Sequence, residues 1–537
     1  MKGKSTAFVT VVFLIMCLLL SMLAGCGAGS ADKTQGDSPS AQTSNAQNTS
    51  GTSEVKPVLK GLIGYIDTDP DKYAAAQYLE KATGYKVSYE MLPSDNPLDK
   101  VNAVMAAGED YDFISITGTD ARTKMVYNSF ANSGALVDLG PIIDKYGPNL
   151  KNAASDSTWD LVRVGGNIYA LPSVIVPVMQ NTITIRKDLL DALNMQMPAT
   201  TGEFKELLKV YKQKDPAKLG SKGIPLTLDG ATEGAYNVKA LMAAFGMPND
   251  WNEVDGQLVP NIMNPNYKDY LLYMADLYKD GLLDKEFAIN RVQQLDEKLT
   301  SGRAFAVPSR WSQPWLWVDP LKKNVPDAKM AYTDPLKGPS GKATIDLTEG
   351  YERLLTVPRV SKHADDVIKW VNATLDPEVF KGFYLGEEGV TYNDQNGQYI
   401  PIQPAFLDQK AYAFDYFSLL DERVLKDYYM CRIRKSDTMA SVWLFINQDS
   451  HKQYSVLDPL SVAPSLPNYS GNYTTANMKA AEVIKIIIGE NDVSYLNNII
   501  QSFKNNGGDA IVKEVNDWYS ANRDSLSKLN QAYQSGN

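Results

Sequence analysis

An α/β fold arranged in two lobes is what the sequence predicts, on three observations. The chain has 537 residues, too many for one ordinary core. Its apolar fraction of 44% and charged fraction of 22% are those of a globular protein. From residue 59 to residue 117, strand-like and helix-like segments alternate in the order β-α-β-α-β, which implies a parallel sheet covered by helices.

The amino terminus is organised differently. Lys2 and Lys4 precede an apolar run from Ala7 to Leu20, and Leu23-Ala24-Gly25 lead into Cys26. A positive start, an apolar middle and small residues at a boundary make a secretory signal. With Cys26 at that boundary, it closely resembles a bacterial lipoprotein signal. The resemblance implies cleavage before Cys26, acylation of its sulfur, and a lipid tether on the outer face of a cell membrane. The competing reading is a single spanning helix, for which Ala7 to Ala24 is nearly long enough. Residues 27–56 are almost all Ser, Gln, Thr, Asn, Gly, Ala and Asp. Too few large apolar side chains remain for a core, so the stretch reads as a flexible stalk.

The formal charge is −10. Removing residues 1–25 takes away Lys2 and Lys4 and no acid, which makes the balance two units more negative. Such a surface repels phosphate backbones, which argues against nucleic-acid binding and leaves the acyl chain as the membrane anchor. The cysteines are Cys17, Cys26 and Cys431, so the body carries one thiol and no internal disulfide. Cys431 reads as buried packing rather than a nucleophile. His363 and His451 lie far apart. No His/Cys spacing fits zinc, and no cofactor is called for.

The body opens with a strand from Leu59 to Ile66. A helix follows over Asp71–Thr83, with Gly84 at its stop, then a strand over Lys86–Met91. A second helix runs from Pro97 to Ala107, stopped by Gly108, and Asp112–Thr117 forms the third strand. In open parallel sheets, ligands bind beyond the carboxyl ends of the strands. Those ends carry Asp67 and Asp120, which also suit ordinary capping and loop roles. Gly165-Gly166-Asn167-Ile168 reads as a hairpin leading to an extended segment. Thr182–Ile185 is a strand, and Thr200 or Thr201 caps a helix with Glu203 in its first turn. Ser301–Val307 is a strand, Leu354–Val360 another, and Ala364–Leu375 a helix. Between them, Arg310-Trp311-Ser312-Gln313-Pro314-Trp315-Leu316-Trp317 is the densest aromatic cluster.

Several of these stretches together resemble an extracellular solute-binding lipoprotein of a bacterial ABC importer, of the large type that serves oligosaccharides. They are Gly165–Pro172, Ile185–Asp191, Met197–Phe204, Ser301–Ala306 with its tryptophan-bearing loop, Lys369–Asn372, Gly386–Tyr392, Asn506–Asp509 and Val515–Tyr519. The resemblance covers nearly the whole body, and order and spacing carry it rather than any single motif. It implies a periplasmic-binding-protein-like fold of two α/β lobes, with a hinge that the chain crosses more than once. Ligand is then trapped between the lobes when the hinge closes.

On that pattern, residues 1–25 are the signal peptide, and 26–56 the lipidated cysteine and linker. Residues 57–177 and 341–399 form the first lobe. Residues 178–340 and 400–537 form the second lobe with the carboxyl-terminal helices. The implied partners are a small-molecule glycan, permease subunits and the membrane through the lipid anchor, with the protein a monomer. Some relatives carry a calcium loop where this chain reads Asp215-Pro216-Ala217-Lys218-Leu219-Gly220-Ser221-Lys222-Gly223. Alternating oxygen ligands are missing there, so no metal is expected. Asn393–Gly397 is richer in oxygen but reads as a turn.

A sugar offers an apolar C–H face to aromatic rings and a hydroxyl rim to carboxylates, amides and arginine. With eight Trp and 30 Tyr, the chain has rings to spare. Trp311, Trp315 and Trp317 are candidate stacking platforms, and each also suits packing between lobes. Arg310 is a candidate fork for hydroxyls, or a surface ion pair. Glu349, Tyr351 and Arg353, just before a strand of the first lobe, are expected at the cleft with Asp67 and Asp120. Two other classes stay open: a lipid-anchored glycoside hydrolase, which needs two carboxylates flanking one bond, and a surface lipoprotein with no transport role.

Overall fold

The computed structural model describes residues 55–535, except 95, 119–120, 161, 174–177, 231–237, 348–352, 417–420, 465 and 473–479. Cys26, Asp120, Glu349 and Tyr351 lie outside the described residues, as do the signal and all but the last residues of the linker.

The first five elements follow the expected alternation. They are β1 (Leu59–Ile63), α1 (Ala74–Thr83), β2 (Val87–Met91), α2 (Pro97–Ala107) and β3 (Phe113–Thr117). β1 lies between β2 and β3 and is parallel to both. Gly84 and Gly108 end the two helices with φ of 70° and 64°, a left-handed conformation that costs glycine nothing. Pro97 occupies the first turn of α2, where a missing N–H is harmless. α1 starts three residues later than expected, because a turn bonding Lys72 N–H to the Asp69 carbonyl comes first.

After α3 (Ala121–Asn132), residues 163–168 form the expected hairpin, and β4 (Ala170–Ser173) follows. The chain then builds a second sheet. Its elements are β5 (Asn181–Arg186), α4 (Thr201–Lys214), β6 (Ile224–Leu226), α5 (Lys239–Ala244), β7 (Ala304–Arg310), α6 (Pro314–Leu321) and β8 (Met330–Tyr332). Thr200 is the cap of α4. Its hydroxyl accepts from Glu203 N–H at 3.1 Å, and the Glu203 carboxylate accepts from Ala199 N–H at 2.8 Å. The strand order is β8-β5-β7-β6, with β5 antiparallel to both neighbours and β7 parallel to β6.

Next come β9 (Ile345–Leu347), β10 (Arg353–Thr356) and α7 (Ala364–Thr374). β10 returns to the first sheet, whose order is β2-β1-β3-β10-β4. The carboxyl half holds α8 (Glu422–Ile433), α9 (Asp437–Ile446), β11 (Ser455–Leu457) and the long α10 (Asp509–Ser535). β11 pairs in parallel with β9.

Each sheet has its own apolar core. The first core takes residues between Leu59 and Leu171 and between Leu354 and Met439, with Trp370 of α7 fully buried and stacked on Phe113 at 5.1 Å. The second takes Ile183 to Leu347 and Leu457 to Leu526, and Met125 of α3. The chain therefore passes between the cores three times, twice outward and once back. This corrects one boundary. Residues 400–537 were expected in the second lobe, yet Phe406, Phe414, Tyr416, Tyr428, Cys431 and Met439 pack in the first core. Apolar side chains on α8 and the turn before it face the first sheet's helices, and that face outweighs nearness in sequence to the carboxyl-terminal helices. Burial pushes the Cys431 thiol up to about 12, as suits a packing residue.

A third, small cluster lies at the passages. Met179, Ile345, Val442 and Ile446, one or two from each crossing, meet around Tyr332. Beside it, Asp346 on β9 and Asp458, just after β11, act on the ion pair of Lys239 and Asp250. Burial first, and then the Asp250 carboxylate, push Asp458 up to about 6, against the pull of Lys239 and Lys124. A carboxyl raised in the fold above its unfolded value binds extra protons between about pH 4 and 6. Its contribution to stability is complete below that window and is lost as pH rises through about 6. Asp458→Asn keeps an acceptor for Leu460 N–H, which the carboxylate now bonds at 3.0 Å. The variant should gain up to about 2 kcal/mol at pH 7.5 relative to wild type, and nothing at pH 4. Melting temperatures of both proteins across that range check this.

Candidate functional site

Both sheets present one edge built from strand ends. In the first sheet, β1 and β3 end at Ile63 and Thr117. Arg353, at the start of β10, pairs in register with Thr117 on one side and Ser173 of β4 on the other. In the second sheet, β7 ends at Arg310, opposite Asn181 at the start of β5.

Near the second edge lie the four candidate residues of the aromatic cluster, Arg310, Trp311, Trp315 and Trp317, in different settings. Arg310 is exposed, and its N–H bonds the Gln313 side chain at 2.8 Å. With Asn181, Asp229, Lys239, Asp296 and Trp317 it lines a depression at the strand ends. Amides, carboxylates and cations alternate there, a set that answers hydroxyl groups. Trp317 offers little of its ring, being 4% exposed, with its indole N–H donating to Asp296 at 2.6 Å. It belongs to a small apolar cluster with Leu295, Leu299 and Val307. Trp311 and Trp315 are half-buried. Trp311 meets Trp443 of α9 edge-to-face at 4.8 Å, and the Lys435 ammonium stands over the Trp315 ring at 4.2 Å.

At the first edge, Asp67 is exposed in the bend after β1. It and Tyr65 face Tyr412, whose hydroxyl is raised first by burial and then by the Asp67 carboxylate. Arg353 is committed within its own lobe. It pairs with Asp415 at 2.5 Å, donates to the Phe414 carbonyl at 3.2 Å, and lies over the Phe414 ring at 4.1 Å. It thus fixes the 412–416 segment against the sheet edge.

Sequence reasoning missed that segment and the two helices after it. Phe414, Tyr429, Trp443 and Trp311 form a run of rings with centroids 6.2, 5.1 and 4.8 Å apart. The run leads from the first sheet's edge, along the third passage, to the end of β7. Its signals were the dense Tyr412-Ala413-Phe414-Asp415-Tyr416 stretch and the Met439, Val442, Trp443, Ile446 stripe at helical spacing. In the loop from Asp215 to Gly223, the Asp215 carboxylate accepts from the N–H groups of Leu219 and Gly220, both at 2.8 Å. Residues 392–401 form a hairpin that turns at Asn396-Gly397.

Residues 67–379 match the family described as bacterial extracellular solute-binding protein. Lipoprotein LipO of Bacillus subtilis (strain 168) is 25% identical over 525 residues, covering 94% of this chain and 97% of LipO. The polygalacturonan/rhamnogalacturonan-binding protein YtcQ of the same organism is 29% identical over 333 residues, 60% of this chain and 64% of YtcQ. Among solved structures, the Streptococcus pneumoniae ABC-transporter substrate-binding protein FusA in complex with kestose superposes with a TM-score of 0.65 at 20% identity. That match covers 87% of this chain and 100% of FusA, and it shows a shared two-lobed α/β fold. The family match spans more than half of the sequence, and the chain belongs to the bacterial extracellular solute-binding proteins.

Proposed function

We propose that this protein is the substrate-binding lipoprotein of an ABC importer, held on the extracellular face of the cell membrane by lipid on Cys26. It captures an oligosaccharide between its two cores by hinge closure and delivers it unaltered to permease subunits. What supports this reading is that each sheet ends in an edge with suitable side chains, Asp67 and Tyr65 just after β1 and Arg310 and Trp311 at the end of β7, and that three passages join the two cores. Relatives named for fructooligosaccharide and for polygalacturonan and rhamnogalacturonan support a glycan as the cargo.

Trp311 supplies a flat apolar face for a sugar ring, and Arg310 and Asp67 bond hydroxyls. Trp317 shapes the depression from behind, and Arg353 positions the 412–416 segment. The protein works as a monomer and needs no cofactor.

A matching glycan binds the folded closed form and not the unfolded chain, so it raises the melting temperature. At a hundredfold excess over Kd the gain is about 2.7 kcal/mol. A thermal-shift screen of oligosaccharides should find such a glycan, and chromatography should recover it uncleaved. A screen with no stabilising glycan would defeat the reading, and so would hydrolysis products.

A further inference from the structure

The chain is acidic overall, with a formal charge of −10. Residues 432–435 nevertheless read Arg-Ile-Arg-Lys, at the end of α8 and in the turn that leads to α9, against the aromatic run described above. Two of these cations are occupied by backbone. Arg434 donates to the Tyr399 carbonyl at 3.1 Å. Arg432 donates to the Ala411 carbonyl and faces the Phe414 ring at 5.3 Å.

Lys435 is in a different position. It is partly buried, and its ammonium rests 4.2 Å from the Trp315 ring centroid. Among the described residues it has no carboxylate within ion-pair distance and no hydrogen-bond acceptor. The carboxylate that acts on it is Asp415, which Arg353 holds at 2.5 Å. The carboxylate that acts on Lys435 is thus already paired with Arg353.

Desolvating a cation without an anion is costly, and an aromatic face offsets only part of that cost. Burial, and then the charge of Arg432, lower the Lys435 ammonium to about 7. The position is therefore disfavoured for folding alone. It also adjoins Trp315, one of the rings next to the end of β7. A pyranose carrying a carboxylate would answer both features. Its C–H face would lie on the aromatic surface, and its carboxylate would meet the ammonium.

We propose that the glycan captured by this protein is an acidic one, a saccharide bearing a carboxylate, and that Lys435, with Arg432 beside it, selects that group. This deepens the reading of the cleft as a glycan site and rests on it. Lys435 touches the ligand, and Trp315 holds the ammonium in place until the carboxylate arrives.

The test uses the full-length protein and isothermal titration. The probes are uronic-acid oligosaccharides, each paired with its methyl ester, which keeps the shape and removes the charge. Neutral oligosaccharides complete the panel. At least one acid should bind about tenfold or more tightly than its ester, as a charge-assisted hydrogen bond allows, with a preference that shrinks as salt rises. Lys435→Gln should bring the acid-to-ester ratio to about one. Lys435→Met should melt no lower than wild type at pH 6, because it removes a desolvated charge; a packing role would predict a loss. Equal affinity for acid and ester overturns the proposal, as does an acid preference that survives in both Lys435→Gln and Arg432→Gln. Binding confined to neutral glycans also overturns it and leaves the glycan-binding reading standing. Binding of no glycan at all removes both.

Discussion

Gly61→Ala is expected to cost about 3 kcal/mol or more, an extreme among single-methyl additions, because it overpacks the centre of the first core. Gly61 sits in β1, between β2 and β3. A Cβ built there would lie 2.1 Å from Cζ of Phe113 and 2.7 Å from both of its Cε atoms. The ring has nowhere to retreat, since it is fully buried and stacked on Trp370. Relief therefore has to come from the strand itself, which is paired on both sides. Gly64→Ala, one residue past β1, is the control. Its Cβ would meet only the Thr117 hydroxyl at 3.7 Å, an ordinary contact, so its effect should be small. Denaturant titration of both variants, followed by tryptophan fluorescence, compares them. Equal stabilities would show that the first core is looser than described.

Asp415→Ala should be the second severe change, at about 3 kcal/mol. Asp415 and Arg353 are each 12% exposed in their side chains, and they meet at 2.5 Å. Removing the carboxylate takes the ion-pair partner from a largely desolvated Arg353, which lies over the Phe414 ring that Arg432 also faces and donates to the Phe414 carbonyl. An uncompensated cation costs more than the pair contributed. The double variant Arg353→Met with Asp415→Ala should therefore be more stable than Asp415→Ala alone. That sign change would not follow if Asp415 mattered only for packing. The same substitution should loosen the 412–416 segment and weaken glycan binding beyond its effect on stability.

The first sheet was legible because its instructions are local. Gly84 and Gly108 mark helix ends by a backbone preference, and Thr200 with Glu203 marks a helix start by hydrogen bonds within four residues. The β-α-β-α-β order from β1 to β3 reports a parallel sheet covered by helices. Lobe membership of the carboxyl half was not legible. Helical stripes on α8 and α9 announce that a face is buried, but they do not name the core that buries it. The same limit applies to the site. Arg310 and Trp311 were identifiable as a strand end with a ring. The roles of Arg353 and Lys435 depend on partners some 62 and 120 residues away, Asp415 and Trp315. Trp317 shows the reverse: its sequence neighbourhood resembles a platform, but Asp296 and Leu295 enclose it.

Small-angle scattering of the full-length protein, with and without the glycan that most raises its melting temperature, tests the account most directly. A ligand drives closure only through tighter binding to the closed form, so a glycan that binds between the cores must shift that balance. The account predicts a smaller radius of gyration on saturation. An unchanged radius at saturating glycan would contradict it, because the two cores would then not move about the three passages.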